Sequence, residues 1–289
     1  MIAHSELILN PDGSIYHLGL KPGELAEKII LVGDPFRVPK VAAHFDSIAL
    51  DKQKREFRTI SGDMNGQRIS VMSTGMGSDN IDIALTEIDA LFNIDFKLRK
   101  VKENLTAVQM LRIGTCGGLQ ASLPDGAFVF SAKAIAAEGL FAHYQLDESI
   151  YTNPELDRFT AQNDATGQFY ITQADPKFTE LAQNHPDFHC GITYTACGFY
   201  GPQGRSVSRM QPKDHSILDK LHDLSIDREK VLNLEMETAA ILGMSSLLGH
   251  QSASLSAVLA NRARGTFVEN SAELVEQLIQ KGIEMLLAI

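Results

Sequence analysis

Three short apolar runs in this chain each break on a glycine-bearing turn. KIILV (28–32) runs into GDPFR (33–37), RISVMS (68–73) into STGMG (73–77), and QMLRI (109–113) into GTCGG (114–118). Runs of this length bounded by glycine read as buried strands. AFVFSAK (127–133) and LSAVLA (255–260) add two more. Between the strands lie helical patterns. Residues 79–93 place Ile83, Ala84, Ile88, Leu91 and Phe92 on or near one face. Leu274, Val275, Leu278, Ile279, Ile283, Leu286 and Leu287 follow the i, i+3, i+4, i+7 rule. Glu237 to Leu248 is rich in Ala, Met and Leu, with Gly249 as its stop. Alternating strands and helices predict an α/β fold around a central sheet.

In such sheets ligands collect at the carboxyl ends of strands, where these glycine turns lie. Gly33 lets backbone pass close to a ligand, and Arg37 falls near the start of the following helix, so GDPFR has the makings of an anion site. STGMG lacks the Lys-Ser/Thr ending of a P-loop, which argues against a nucleoside triphosphate. Arg112 sits inside an apolar strand, and a buried arginine needs a pairing carboxylate or an anion. Each loop also has a plain reading: Arg37 in solvent at a strand–helix corner, Arg112 in a structural ion pair. Taken together, Arg37, Arg112 and Thr115 can converge on one anion. Neither a general acid–base pair nor a metal cluster accompanies them, so the anion itself would be the reagent. Cys116 reads as packing, since nothing nearby in sequence supplies a base.

The net charge of −10 excludes a general nucleic-acid binder, and any attraction for an anion must come from a few clustered arginines. Three cysteines are too few for a disulfide framework or a zinc site. No apolar run approaches the roughly 20 residues of a membrane span. MIAHSELILN lacks the features of a secretory signal, so a cytoplasmic location is expected. One domain over 1–289 is expected, with surface insertions near 95–108 and 145–170. The charged run KLRKVKEN (97–104) reads as a solvated helix face. NLEMET (233–238), taken alone, reads as a helix start capped by Asn233.

Eight motifs in order carry a family resemblance: YHLGL (16–20), GDPFR, REF (55–57), STGMG, RIGTCGG (112–118), FYGPQGR (199–205), NLEMET and ANR (260–262). The chain resembles the uridine phosphorylases of the nucleoside phosphorylase-I family from about His17 to its C-terminal helix. The resemblance implies a single-domain fold with a mixed, partly barrel-like sheet flanked by helices. It implies phosphorolysis of uridine to uracil and ribose 1-phosphate, with inorganic phosphate as co-substrate and no cofactor.

Gly33, Arg37, Arg112 and Thr115 match the family's phosphate positions, and Arg55 matches an arginine that reaches phosphate from a neighbouring subunit. His17 matches a histidine that crosses the same interface towards the ribose, which implies at least a dimer, with a hexamer open. Glu235, Met236 and Glu237 match the ribose segment. Gln203 and Arg205 match the readers of the uracil amide edge, Phe199 the stacking ring, Gly117 a contact to the base edge, and Leu259 and Ala260 the apolar walls. Arg112, Arg205 and Glu237 would carry the chemistry.

The sequence departs from the pattern at Val268, where relatives often carry proline, and at Asn80. Some relatives hold a monovalent cation at positions matching Glu56 and Met76, but Asn80 replaces a serine there, and no ion is inferred. Hexameric purine phosphorylases use an aspartate shortly after the strand ending in ANR; here no Asp follows Arg262 before Ser271. Nucleosidases lack most of the phosphate arginines that Arg37, Arg55 and Arg112 match.

Overall fold

The computed structural model describes residues 1–162 and 167–289. Its first half supplies β1 (Lys28–Val32), α1 (Val38–Ala42), β2 (Ser47–Lys54), β3 (Phe57–Met64), β4 (Gln67–Ser73) and α2 (Ser78–Asn93). A two-residue hairpin, β5 (Ile94–Asp95) and β6 (Lys100–Val101), then leads to the long β7 (Gln109–Gly118). The second half supplies β8 (Phe128–Ala136), α3 (Pro154–Gln162), β9 (Tyr170–Gln173), α4 (Pro176–Gln183), β10 (Phe188–Thr195) and α5 (Ile217–Asp223). It ends with β11 (Ser225–Ile226), β12 (Glu229–Glu235), α6 (Thr238–Leu247), β13 (Gln251–Asn261), β14 (Thr266–Phe267) and α7 (Ser271–Ala288).

The three strands lie side by side, but β7 does not break into a turn at Gly114: it continues through GTCGG to Gly118, because β13 pairs with it along that whole length. β1 runs parallel to β4 on one side and to β7 on the other, with Ile30 opposite Val71 and Leu111. Parallel strands covered on both faces carry continuous apolar runs, as these do. From β7 the sheet continues through β13, β8 and β10 to β12. β12 then pairs back onto β7 at Asn233–Gly118 and Leu234–Gly117, closing a five-stranded barrel. β3 and β2 extend the open side as an antiparallel wing. The architecture is therefore mixed α/β with a partly closed sheet. Because β12 pairs with β7 antiparallel and only through their last residues, closure makes the carboxyl ends of β1, β4 and β7 meet those of β10 and β12, which run the opposite way.

The barrel interior explains one misreading of the sequence. Asn233 is not a helix cap but a fully buried strand residue. Its Oδ1 accepts from Thr193 Oγ1 at 2.8 Å, and Thr193 lies 2.6 Å from Ser131 Oγ. Helix α6 starts five residues later, and Glu235 serves its first N–H groups.

Helix α2 buries Ile81, Ala84, Leu85, Ile88 and Leu91, while Ile83 and Phe92 pack at the margin. On α7 the buried set includes Val275, Leu278, Ile279, Ile283 and Leu286. α6 is apolar nearly all round and is buried accordingly, ending before Gly249 at φ +75°. No helix among the described residues is long and apolar enough to cross a membrane.

The charged run 97–104 is not a helix. Asp95 Oδ1 accepts from the N–H groups of Lys97 and Leu98, a local side-chain turn that competes with helix formation. The chain then turns through Arg99, at φ +52°, into β6. Arg99 itself is buried and donates to the carbonyls of Ile2, Ala3 and Leu7, pinning the N-terminal segment. Within the stretch 145–170 the described part forms α3 and leads into β9; residues 163–166 lie outside the described residues.

Glycine 243 lets α6 seat against the 3-10 turn Leu140–His143. A Cβ there would lie 2.3 Å from Phe141 Cζ and 2.9 Å from Thr172 Cγ2. Gly243→Ala should therefore lower stability by about 1–3 kcal/mol, the usual range for overpacking. Urea denaturation with an unchanged slope and a lowered midpoint checks this; an unchanged midpoint would mean the ring moves aside freely.

Candidate active site

Arg112 organises the rim. Its side chain folds back over Gly114, where a Cβ would sit 1.9 Å from Nη1. Nη1 donates to Ser256 Oγ at 3.1 Å and Nη2 to Glu237 Oε2 at 2.6 Å. Glu235 Oε2 lies 3.1 Å from the same Nη2. Glu235 also accepts from Thr195 Oγ1 at 2.7 Å and from the N–H groups of Glu237 and Thr238 at 2.9 Å, so its carboxylate caps α6. Glu237 Oε1 accepts the Gly77 N–H at 2.8 Å, which fixes the STGMG loop to the cluster. Burial works against the Arg112 charge, but Glu235 and Glu237 outweigh it and raise its pKa. Burial raises the Glu237 pKa, against the pull of Arg112 and with the repulsion of Glu235.

Arg37 stands at the N-terminal boundary of α1 and donates from Nη1 to the Ile113 carbonyl at 3.1 Å. Its pKa is lowered by burial first and by the positive charge of Arg112 second. The charge of Arg112 is met by Glu235 and Glu237, whereas Arg37 donates to a backbone carbonyl, so Arg37 carries the guanidinium charge left for an anion at this end. Gly33 passes so close to the opposite loop that a Cβ would be 3.3 Å from the Gly75 carbonyl oxygen.

These loops open on a cavity of about 740 Å³. Of the residues expected at the site, Gly33, Arg37, Arg112, Thr115, Gly117, Phe199, Gln203, Arg205, Glu235, Met236, Glu237, Leu259 and Ala260 all line it. Sequence reasoning missed Gly114, Leu234, Arg262 and Phe267, which line it too. Arg262 stood in the quoted ANR motif; Gly114 became informative only through the fold-back of Arg112. Leu259 and Ala260 both face the cavity because β13 slips by one residue between Val258 and Ala260 against β7.

The far end of the cavity is built by a short 3-10 turn, Gly201–Gln203. Gly204, at φ +66°, reverses the chain so that the Arg205 N–H reaches the Tyr200 carbonyl at 2.8 Å. The Arg205 guanidinium lies 3.7 Å over the Phe199 ring and donates to the Phe199 carbonyl at 2.7 Å and to Gln203 Oε1. Gln203 is buried. Burial, and then the charge of Arg262, push Arg205 down to about 10, which leaves it charged at neutral pH. Arg262 Nη1 is buried with no hydrogen-bond partner among the described residues.

Arg55 and His17 lie outside the cavity of their own chain. Arg55 is exposed at φ +55° in the turn between β2 and β3, 5.9 Å from the Tyr16 ring. His17 Nδ1 is 2.7 Å from Glu87 Oε1. Glu56, next to Arg55, does line the cavity. Cys116 also lines it, but burial pushes its thiol up to about 12, which removes it as a nucleophile near neutrality.

The family model of the phosphorylase superfamily matches residues 27–289. The chain belongs to the phosphorylase superfamily. The relatives it resembles include uridine and purine nucleoside phosphorylases. It is 28% identical over 259 residues to the uridine phosphorylase of Thermococcus kodakarensis, covering 89% of this chain and 80% of the relative. It is 26% identical over 248 residues to the DeoD-type purine nucleoside phosphorylase of Oceanobacillus iheyensis, covering 83% and 84%. Among solved structures it resembles a Trypanosoma brucei nucleoside phosphorylase described as showing uridine phosphorylase activity. That match has a TM-score of 0.87 and 29% identity over 98% of this chain and 100% of the other.

Two outcomes follow for this superfamily member. Under native conditions at pH 8, alkylation followed by mass spectrometry should modify exposed Cys197 and spare buried Cys116; rapid labelling of Cys116 would contradict its burial. Gly114→Ala should leave the chain folded but displace Arg112 from Glu237. Binding of inorganic phosphate, measured by calorimetry, should weaken at least tenfold, the scale of one lost charge-assisted hydrogen bond.

Proposed function

We propose that this enzyme cleaves uridine with inorganic phosphate, giving uracil and ribose 1-phosphate. The observation that carries the reading is the polarity of one cavity. Its wall carries two groups of polar side chains, Arg37 with Arg112 and Gln203 with Arg205 and Arg262. Breaking an N-glycosidic bond builds positive charge on the sugar and negative charge on the departing base. Phosphate held by Arg37 and Arg112 attacks C1′ and offsets the sugar's charge. Glu237, fixed by Arg112 and Gly77, stands ready to accept from ribose hydroxyls. Gln203 offers both an acceptor and a donor to the amide edge of uracil. Arg205, with Arg262 nearby, stabilises the base as it leaves as an anion, so no acid has to protonate it.

Similarity to purine phosphorylases as well as uridine phosphorylases raises a second reading, a purine substrate. Against it stands the residue after Asn261, an arginine, with no Asp before Ser271. An arginine at this place favours a base that leaves as an anion without protonation.

Charge counting bears on assembly. Four arginines (Arg37, Arg112, Arg205, Arg262) and four acids (Asp34, Glu56, Glu235, Glu237) line the cavity, so its formal charge is zero. A phosphate dianion calls for further positive charge. In this reading Arg55, exposed and outside its own cavity, gives it to a neighbouring chain, and His17 reaches that chain's ribose. The proposed working unit is therefore at least a dimer.

Incubation with uridine, thymidine, inosine and adenosine, with and without phosphate, and measurement of free base test the reading. Uridine cleavage that requires phosphate is expected. Inosine cleaved faster than uridine would sink the uracil assignment, and cleavage without phosphate would make the enzyme a hydrolase. Arg205→Ala should lower kcat/KM for uridine by about a hundredfold or more, the scale of one lost anion-stabilising donor. Its phosphate affinity should stay within about threefold of the parent. If phosphate affinity falls while uridine turnover survives, the two ends of the cavity have been assigned the wrong way round.

A further inference from the structure

A buried carboxylate on the apolar face of a helix requires an account. Glu87 lies on the buried face of α2 beside Ala84 and Ile88 and is 9% exposed. Its partners all come from one short segment near the N-terminus. Oε1 accepts from the His17 N–H at 3.0 Å and lies 2.7 Å from His17 Nδ1. Oε2 accepts from the His17 N–H at 3.0 Å and from the Leu18 N–H at 2.8 Å. Holding backbone alone would use only the two peptide N–H groups; the shortest contact is the one to the ring.

A carboxylate surrounded by N–H donors can only accept. Nδ1 must therefore carry the proton in this pair, and in the neutral imidazole the lone pair is left on Nε2. Tyr16 meets the His17 ring edge-on, with centroids 4.8 Å apart and planes at 82°, which limits its rotation. The side chain of His17 is 28% exposed, and its Nε2 has no hydrogen-bond partner among the described residues.

We infer that Glu87 is a positioning residue: it locks His17 as the Nδ1–H tautomer and presents Nε2 as an acceptor for a hydroxyl of the ribose bound by a neighbouring subunit. This rests on the proposed role of His17 at that subunit's ribose. The acceptor makes the sugar hydroxyl donate, so the contact selects a free O–H over an ether or a bare hydrogen. Glu87 itself never touches the sugar; it acts through the ring. An aspartate would fall short by one methylene. A glutamine would have to turn its N–H₂ towards one of the three N–H groups that the carboxylate now receives.

The test joins a spectroscopic signature to a double-mutant cycle on the full-length enzyme. In ¹⁵N-histidine-labelled protein, the His17 resonances are assigned by their disappearance in His17→Gln. The unmodified enzyme should show His17 as the Nδ1–H tautomer, and Glu87→Gln should lose that pure signature. In steady-state assays with uridine, Glu87→Gln should raise KM about tenfold with kcat within about twofold, which is the mark of lost uniform binding. Adding Glu87→Gln to His17→Ala should change KM by less than twofold, because the ring through which Glu87 acts is gone. An Nε2–H tautomer in the unmodified enzyme would overturn the inference, and that reading needs no variant to fold. An equal rise in KM in both backgrounds would also overturn it, reducing Glu87 to an anchor of the backbone. If His17→Ala leaves KM for uridine unchanged while the tautomer is as stated, the failure belongs to the proposed reach of His17 across the interface, and the acceptor role falls with it.

Discussion

The ion cluster of Arg112, Glu235 and Glu237 is the constraint on which the rest of the site depends. Taking three charges out of water is expensive, and the expense is met only because nearly every lone pair and proton has a partner. Ser256 takes one arm of Arg112, while Thr195 and the first N–H groups of α6 occupy Glu235. Gly77 takes the remaining oxygen of Glu237. The partners come from different elements, so β7, β10, β12, β13 and the start of α2 are held in one relative position. The end proposed for phosphate is thus part of the barrel's own structure. Removing one member would strand the others without compensation in a buried place.

The end proposed for the base is built differently. Gln203 ends a 3-10 turn between β10 and α5, Arg205 follows that turn, and Arg262 belongs to the turn that joins β13 to β14. These segments hang from strand ends and contribute little to closing the sheet. A scaffold with a rigid anion end and a loop-built base end can change its base without rebuilding its barrel. This division accords with the pairing of uridine and purine phosphorylases among the chain's relatives.

Much of this was legible from the amino acids, and the exceptions have physical causes. The strands at 28–32, 68–73 and 109–113 were readable because strands buried on both faces are apolar without alternation. Arg112 was readable because a charge in such a run demands a partner, but which carboxylates would meet it depended on β12 closing against β7. That closure is a long-range pairing with no local signal. Asn233 misled for the same reason: a polar residue before two glutamates looks like a cap until a barrel interior surrounds it. Arg99 was hidden in a run of charges, and only contact with the carbonyls of Ile2, Ala3 and Leu7 distinguishes it from its solvated neighbours. Gly114 was read as the start of a turn, since its actual need arises from a side chain two residues away folding back over it.

The extra residue in β13 has a consequence for how this wall can vary. Along a regular strand, neighbours point to opposite faces; here Leu259 and Ala260 share one. Substituting either residue reshapes the wall but keeps its placement. Deleting one residue would instead restore strict alternation and send a wall residue to the other side, with Asn261 and Arg262 displaced along the chain behind it. The pocket is therefore open to drift by replacement and closed to drift by length. In homologues that keep this wall, the segment between Val258 and Arg262 should hold its residue count even where its side chains differ.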